Sequence, residues 1–175
     1  ETSGGDMPDD VSLSSMDWTL AINEEPLRLI QYVVENDLPY SEIVTMPGSV
    51  GTAEHARIWS GVEGDFDPDG PTWQPYAYSD GRPTAGVLST SGWHQRWTSN
   101  PANAKRLAAA AAAQALICVD YLAGDVQLGE VDLSDEDAID AAILSEPACV
   151  ACHQTMDPFA GNLQGFGGRV AFNTG

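Results

Sequence analysis

Apolar residues first recur at helical spacing at Leu27, Ile30, Val33 and Val34, which form one stripe of a helix. Asn23, Glu24, Glu25 and Pro26 stand just before it. They supply a cap, acids for the first turn and an early proline, so they mark a helix start. Asn36, Asp37 and Pro39 close that helix. A second, short helix is predicted over 52–59. Residues 61–82 hold seven glycines or prolines and several acids, and predict a loop. Trp93 and Trp97, four residues apart, predict a short helix over 92–97 with both rings on one face.

The clearest helix is predicted over 101–123, opened by Asn100 and Pro101 and ended by Gly124. It carries Leu107 and six alanines in succession, and alanine is the best helix former. A bare alanine face also lets another helix, or a flat cofactor, approach closely. Ser134, Asp135, Glu136 and Asp137 put acids at the positive end of a further helix, which continues to about Leu144. Pro147 opens the next helix, expected to stop before Pro158. Strand signals are short, so the expected class is mainly α: a small helical domain with long loops and a C-terminal helix. Residues 1–15, small, polar and acidic, predict an arm; residues 16–175 predict one helical domain.

Within that last helix stands Cys149-Val150-Ala151-Cys152-His153, a CxxCH pentapeptide. It is the attachment signature of a c-type haem. Thiols three residues apart on a helix face one edge of a porphyrin and can add to its two vinyl groups. His153 follows and can turn its imidazole onto the iron as proximal ligand. The alternatives for these residues are a CxxC disulfide, a Cys/Cys/His zinc site and coincidence. Covalent haem attachment takes place outside the cytoplasm in bacteria, so the motif predicts a periplasmic or extracellular protein. The chain opens on Glu1 with no charged segment and apolar run behind it, which predicts a signal peptide already removed. No apolar stretch is long enough to predict a membrane span.

The second axial ligand is not announced. Met156, three residues after His153, shares its helix and suits packing better than the far face of the iron. Upstream candidates are Met46, in the loop VTMPGS, and His94, between Trp93 and Trp97. His55, Met7 and Met16 are weaker candidates, and an open iron is a further alternative. A thioether raises a haem potential, a second histidine lowers it, and an open position admits small ligands. Cys118 is left without a partner in this chain, and its apolar neighbours predict a buried thiol.

Charge changes the picture of partners. The chain has 26 acids against 7 bases, a formal charge of −19. Such a surface repels phosphate backbones, which excludes nucleic acid as the expected partner. It suits a redox partner with a basic docking surface, a cation-rich medium or calcium; the plainer reading is solubility or salt adaptation. Asp65, Asp67, Asp69 and Gly70 form a DxDxDG run like the first half of a calcium loop. Position 12 is Tyr76 instead of Glu, and Pro68 interrupts the loop, so an EF-hand fails. Ca2+ held with other ligands and a solvated acidic turn are the two readings.

The end of the chain, CVACHQTMDPFAGNLQGF, resembles a family of otherwise unknown function that accompanies planctomycete-type and myxobacterial cytochrome c-like domains. The matching positions beyond the pentapeptide are Asp157, Pro158, Gly161 and Phe166. AGVLSTSGWHQRWTSNPANAKR is similar to a second segment of that family, and LPYSEIVT more loosely to a third. His94 stands where the family more often carries an aliphatic residue. The family's longer upstream regions have no counterpart here, which fits a reduced version or a processed fragment. The resemblance implies haem and an extracytoplasmic location, not a reaction.

Three functions follow. The first is a monohaem electron carrier, alone or as a subunit. The second is a structural, accessory or filament-forming haem protein, for which the arm, Cys118 and the alanine face offer contacts in a homo- or hetero-oligomer. The third is a haem enzyme or ligand sensor with an open iron, in which His94 would serve as a distal base. No Ser/His/Asp, P-loop or dinucleotide signature supports a hydrolase or a nucleotide enzyme.

Overall fold

The computed structural model describes residues 15–53, 55, 61–67, 69, 72–98, 104–121, 123, 131–132 and 134–166 (backbone alone for 15–18). The predicted arm up to residue 14 and the Asn100–Pro101 helix start lie outside these residues, as does most of the predicted 52–59 helix; Ser15, the last residue of the predicted arm, is helical. The chain forms two compact units: Glu1–Thr98 with Gly165–Gly175, and Ser99–Gln164. The described residues are mainly α-helical, with one small three-stranded sheet.

The first unit is built on α1 (Ser15–Glu35). Ile22, Glu25, Leu29 and Val33 lie one turn apart and are buried. That stripe begins upstream of Asn23, so the helix starts eight residues before the predicted cap and runs through Pro26. Proline there has no N–H for the Ile22 carbonyl. The backbone of Gly92 occupies the space beside it: a Cβ on Gly92 would lie 2.3 Å from the Ile22 oxygen and 2.8 Å from Pro26 Cδ.

After α2 (Glu42–Thr45) the chain enters β1 (Gly48–Gly51), with β2 (Val62–Glu63) and β3 (Gln74–Tyr78) completing an antiparallel sheet ordered β1-β3-β2. Both later strands fall where a loop was predicted. β3 contains Pro75 yet sits in the middle of the sheet. The reason is that β2 reaches only Ala77 and Tyr78, so Pro75 has a neighbour, Val50, on one side alone. α1 lies on β1, and Leu29, Val33, Ile43, Val50 and Val87 form the core between them. A 3-10 turn (Gly86–Ser89) leads into α3 (Ser91–Arg96), capped by the Thr90 hydroxyl on the Trp93 N–H, 3.3 Å. The predicted tryptophan pair is present, with ring centroids 6.2 Å apart.

The second unit holds α4 (Arg106–Ile117), α5 (Glu136–Ser145) and α6 (Pro147–Gly161). α4 is shorter than predicted at both ends. Ala104 and Lys105 take left-handed backbone angles, φ 41° and 69°, which no helix can include. Cys118 does the same at the other end, φ 56°, and folds its N–H back to the Ala113 carbonyl. The alanine face is the buried one: Ala108, Ala109, Ala112 and Ala113 are enclosed, and α4 packs on α6. α5 begins at the predicted acids, with the Asp135 carboxylate accepting from the Asp137 and Ala138 N–H groups. It too packs on α6. α6 starts at Pro147 as predicted, but it passes through Pro158 and ends at Gly161. It gives up only the one bond that Pro158 cannot donate.

Candidate functional site

The pentapeptide lies in the first turns of α6. Cys149 and Cys152 are free thiols, each partly exposed, one helical turn apart. His153 comes next, its side chain 22% exposed. Its Nδ1 lies 3.1 Å from both carboxylate oxygens of Asp157, four residues on along the same helix face. Asp157 is held in turn by Arg106 at the start of α4. Arg106 Nε donates to Oδ1 at 2.7 Å and Nη2 to Oδ2 at 3.0 Å, a two-pronged bridge. The Arg106 hydrogen bond, with further help from His153, holds the Asp157 carboxyl below the usual carboxylate range despite partial burial. The same bond raises Arg106.

This arrangement decides the histidine tautomer. An ionised carboxylate only accepts hydrogen bonds, so Nδ1 of the neutral imidazole carries the proton and Nε2 presents the lone pair. Metal-bound histidines are held in this manner, with the second ring nitrogen on a carboxylate that fixes orientation and strengthens the donor. Two thiols one turn apart followed by an imidazole so prepared fit a covalently attached haem. The same unit exposes Leu116, Ile117, Val119 and Leu144, apolar surface that its own helices do not cover. Further along α6, the Tyr121 and Thr155 hydroxyls lie 3.2 Å apart.

The upstream candidates sit in the first unit. Met46 is half-buried against the core of α1 and β1. His94 is 1% exposed and stacks on Phe166, ring centroids 4.2 Å apart. Its Nε2 lies 2.8 Å from the Leu88 carbonyl, which can only accept, so that nitrogen carries hydrogen. His55 is fully buried, with Nδ1 accepting from the Thr52 N–H at 3.0 Å and Trp73 edge-on at 5.3 Å. Cys118 is exposed, against the expectation of a buried thiol. The helix ends one residue before it, and as the left-handed cap its side chain leaves the packed face.

In the acidic loop, Asp67 serves its own turn. Its carboxylate accepts from the Asp69 N–H at 2.9 Å, while its backbone exchanges two hydrogen bonds with the Gln74 side chain. Asp65, Asp67 and Asp69 are all exposed, and among the described residues no three His, Cys, Asp or Glu side chains gather as a ligand cluster.

Two groups escaped the sequence reading. Asp157 was visible as a motif position, and its i+4 spacing from His153 was the signal for its role. Arg106, 51 residues away, had no local signal. The other group is Glu25, read as a first-turn acid but buried in mid-helix. It accepts from the Tyr76 hydroxyl and, at 3.0 Å, from that of Tyr78. Burial raises the Glu25 carboxyl above its usual range, with the hydrogen bonds from Tyr76 and Tyr78 opposing.

Compared with known proteins, the chain matches no family model, no curated protein and no solved structure. No described helix is long and apolar enough to cross a membrane.

Proposed function

We propose that the chain is an extracytoplasmic monohaem c-type cytochrome that carries electrons, its second unit serving as a cytochrome c-like attachment module. The observation that carries this reading is the His153–Asp157 pair on the CxxCH helix, 3.1 Å. Cys149 and Cys152 would hold the porphyrin, and His153 Nε2 would donate to its iron. When bound, haem supplies a one-electron couple. Asp157 keeps the ring turned and its proton on Nδ1. The likeness to planctomycete-type and myxobacterial cytochrome c-like domains belongs to this reading and points the same way.

The test is mass spectrometry and absorbance of the protein secreted by a haem-attaching host. The expected result is one haem per chain, lost when Cys149 and Cys152 are both changed to alanine. In His153→Ala the haem stays attached but its spectrum changes. Wild-type protein without haem rejects the reading.

One further observation favours a place in a larger assembly. α1 exposes Leu20, Leu27 and Val34 at seven-residue intervals, with Ile30 between. That spacing is the one by which helices pair. Sizing across a concentration series distinguishes a subunit from a lone carrier.

A further inference from the structure

We propose that Arg106 and Asp157 are a pair of positioning residues that set the donor strength of the proximal imidazole in opposite senses; this rests on the haem reading above. The geometry is specific. Both Asp157 oxygens are shared, each taking one bond from the Arg106 fork and each lying 3.1 Å from His153 Nδ1. A carboxylate on Nδ1–H pushes electron density into the ring and makes Nε2 a stronger donor, favouring the oxidised iron. Two charge-assisted bonds from a guanidinium withdraw charge from that carboxylate, so less reaches the ring. Asp157 therefore lowers the haem potential and Arg106 moderates how far.

A second observation shows that Arg106 is placed there against local preference. It is the first residue of α4, at the positive end of the helix dipole, where a cation is disfavoured. It follows two non-glycine residues in left-handed conformation, Ala104 and Lys105. Backbone held in such sparsely populated regions is sustained by its surroundings and clusters at functional sites. The ion pair is also partly exposed, side chains 27% and 33%, so as a simple stabilising bridge it is worth little. A role in tuning His153 accounts for the cost where stability does not.

The experiment is a spectroelectrochemical titration of the haem-loaded protein and its variants. Asp157→Asn leaves a weaker acceptor on Nδ1, and its potential rises. Arg106→Gln leaves the carboxylate unmoderated, and its potential falls. Each shift is on the order of tenfold in the reduced-to-oxidised ratio, ~59 mV for one electron. Arg106→Lys, which keeps the charge but loses the fork, falls between wild type and Arg106→Gln and carries the same sign if the glutamine variant does not fold. In the Asp157→Asn background Arg106→Gln has no further effect, because its route to the ring is gone. Ferric EPR g values, which report the ligand field at iron, move in opposite directions for the two single variants. Shifts of the same sign, or none, in a protein that carries haem overturn this inference and leave the proposed function standing. Absence of haem overturns both.

Discussion

Glu25 is a carboxyl group enclosed on the core face of a helix, 2% exposed. An isolated carboxylate there would cost far more than the hydrogen bonds of two tyrosines return. Its pKa is raised above 4.5 because desolvation outweighs the bonds from Tyr76 and Tyr78 and the charge of Arg82. Tyr76 and Tyr78, buried beside it, have hydroxyls raised well above 10, first by desolvation and then by the Glu25 charge, so they stay donors. The sign of the consequence follows. The folded state holds the Glu25 proton more tightly than the unfolded chain does. Its contribution to stability is fully present below 4.5 and is lost as pH rises through the folded-state value. Glu25→Gln keeps an acceptor for the tyrosines and removes the titration. Urea midpoints from pH 4 to pH 8 are expected to fall for the wild type across that window and to stay flatter for the variant. Parallel profiles would show that Glu25 does not set this dependence.

At the scale of elements, the approach of α1 to α3 depends on what Gly92 lacks. A Cβ would be pressed to 2.3 Å from the Ile22 carbonyl, a backbone atom that cannot swing aside. Gly92→Ala is therefore expected to destabilise by about 1–3 kcal/mol, the usual cost of overpacking. Gly161, last in α6, provides the contrast, since an added Cβ there meets nothing within 4 Å. Gly161→Ala is expected to be neutral or stabilising by up to ~1 kcal/mol, from helix propensity alone. Denaturant melts of the two variants check this, and equal effects would remove the steric argument. The same elements show what was legible in the sequence. Pro147, Asp135 and the tryptophan pair announced α6, α5 and α3, because caps and i+4 spacing are local. Pro26 misled as a start signal and Pro158 as a stop, because tertiary packing can carry a helix past one missing bond. β2 and β3 were hidden by glycines and prolines and defined by pairing, β3 with β1 and β2 with β3, contacts remote in sequence. At the site, CxxCH was plain and Asp157 lay within one turn of it. Arg106 was invisible, since only folding brings α4 onto α6.

At the scale of the whole molecule, 26 acids against 7 bases leave two physical readings that make different demands. If the charge serves partner recognition, it acts at a distance and steers cations toward the protein before contact. If it serves only solubility, encounter rates need not respond beyond a uniform background. Ionic strength separates them, because the Debye length shrinks from about 30 Å at 0.01 M to about 8 Å at 0.15 M. On the proposed haem reading, the reduced protein is oxidised by two inorganic probes of opposite charge, a cationic cobalt or ruthenium ammine complex and an anionic cyano-iron complex. Steering predicts that the cationic probe slows on the order of tenfold across that salt range while the anionic probe accelerates. A basic electron-transfer protein should follow the cationic probe more steeply, since it presents several charges at once. If both probes are insensitive to salt while the unfolding midpoint rises with it, the acids act through self-repulsion alone. Recognition would then rest on uncharged surface, and the exposed stripe of Leu20, Leu27, Ile30 and Val34 on α1 is where it should be sought.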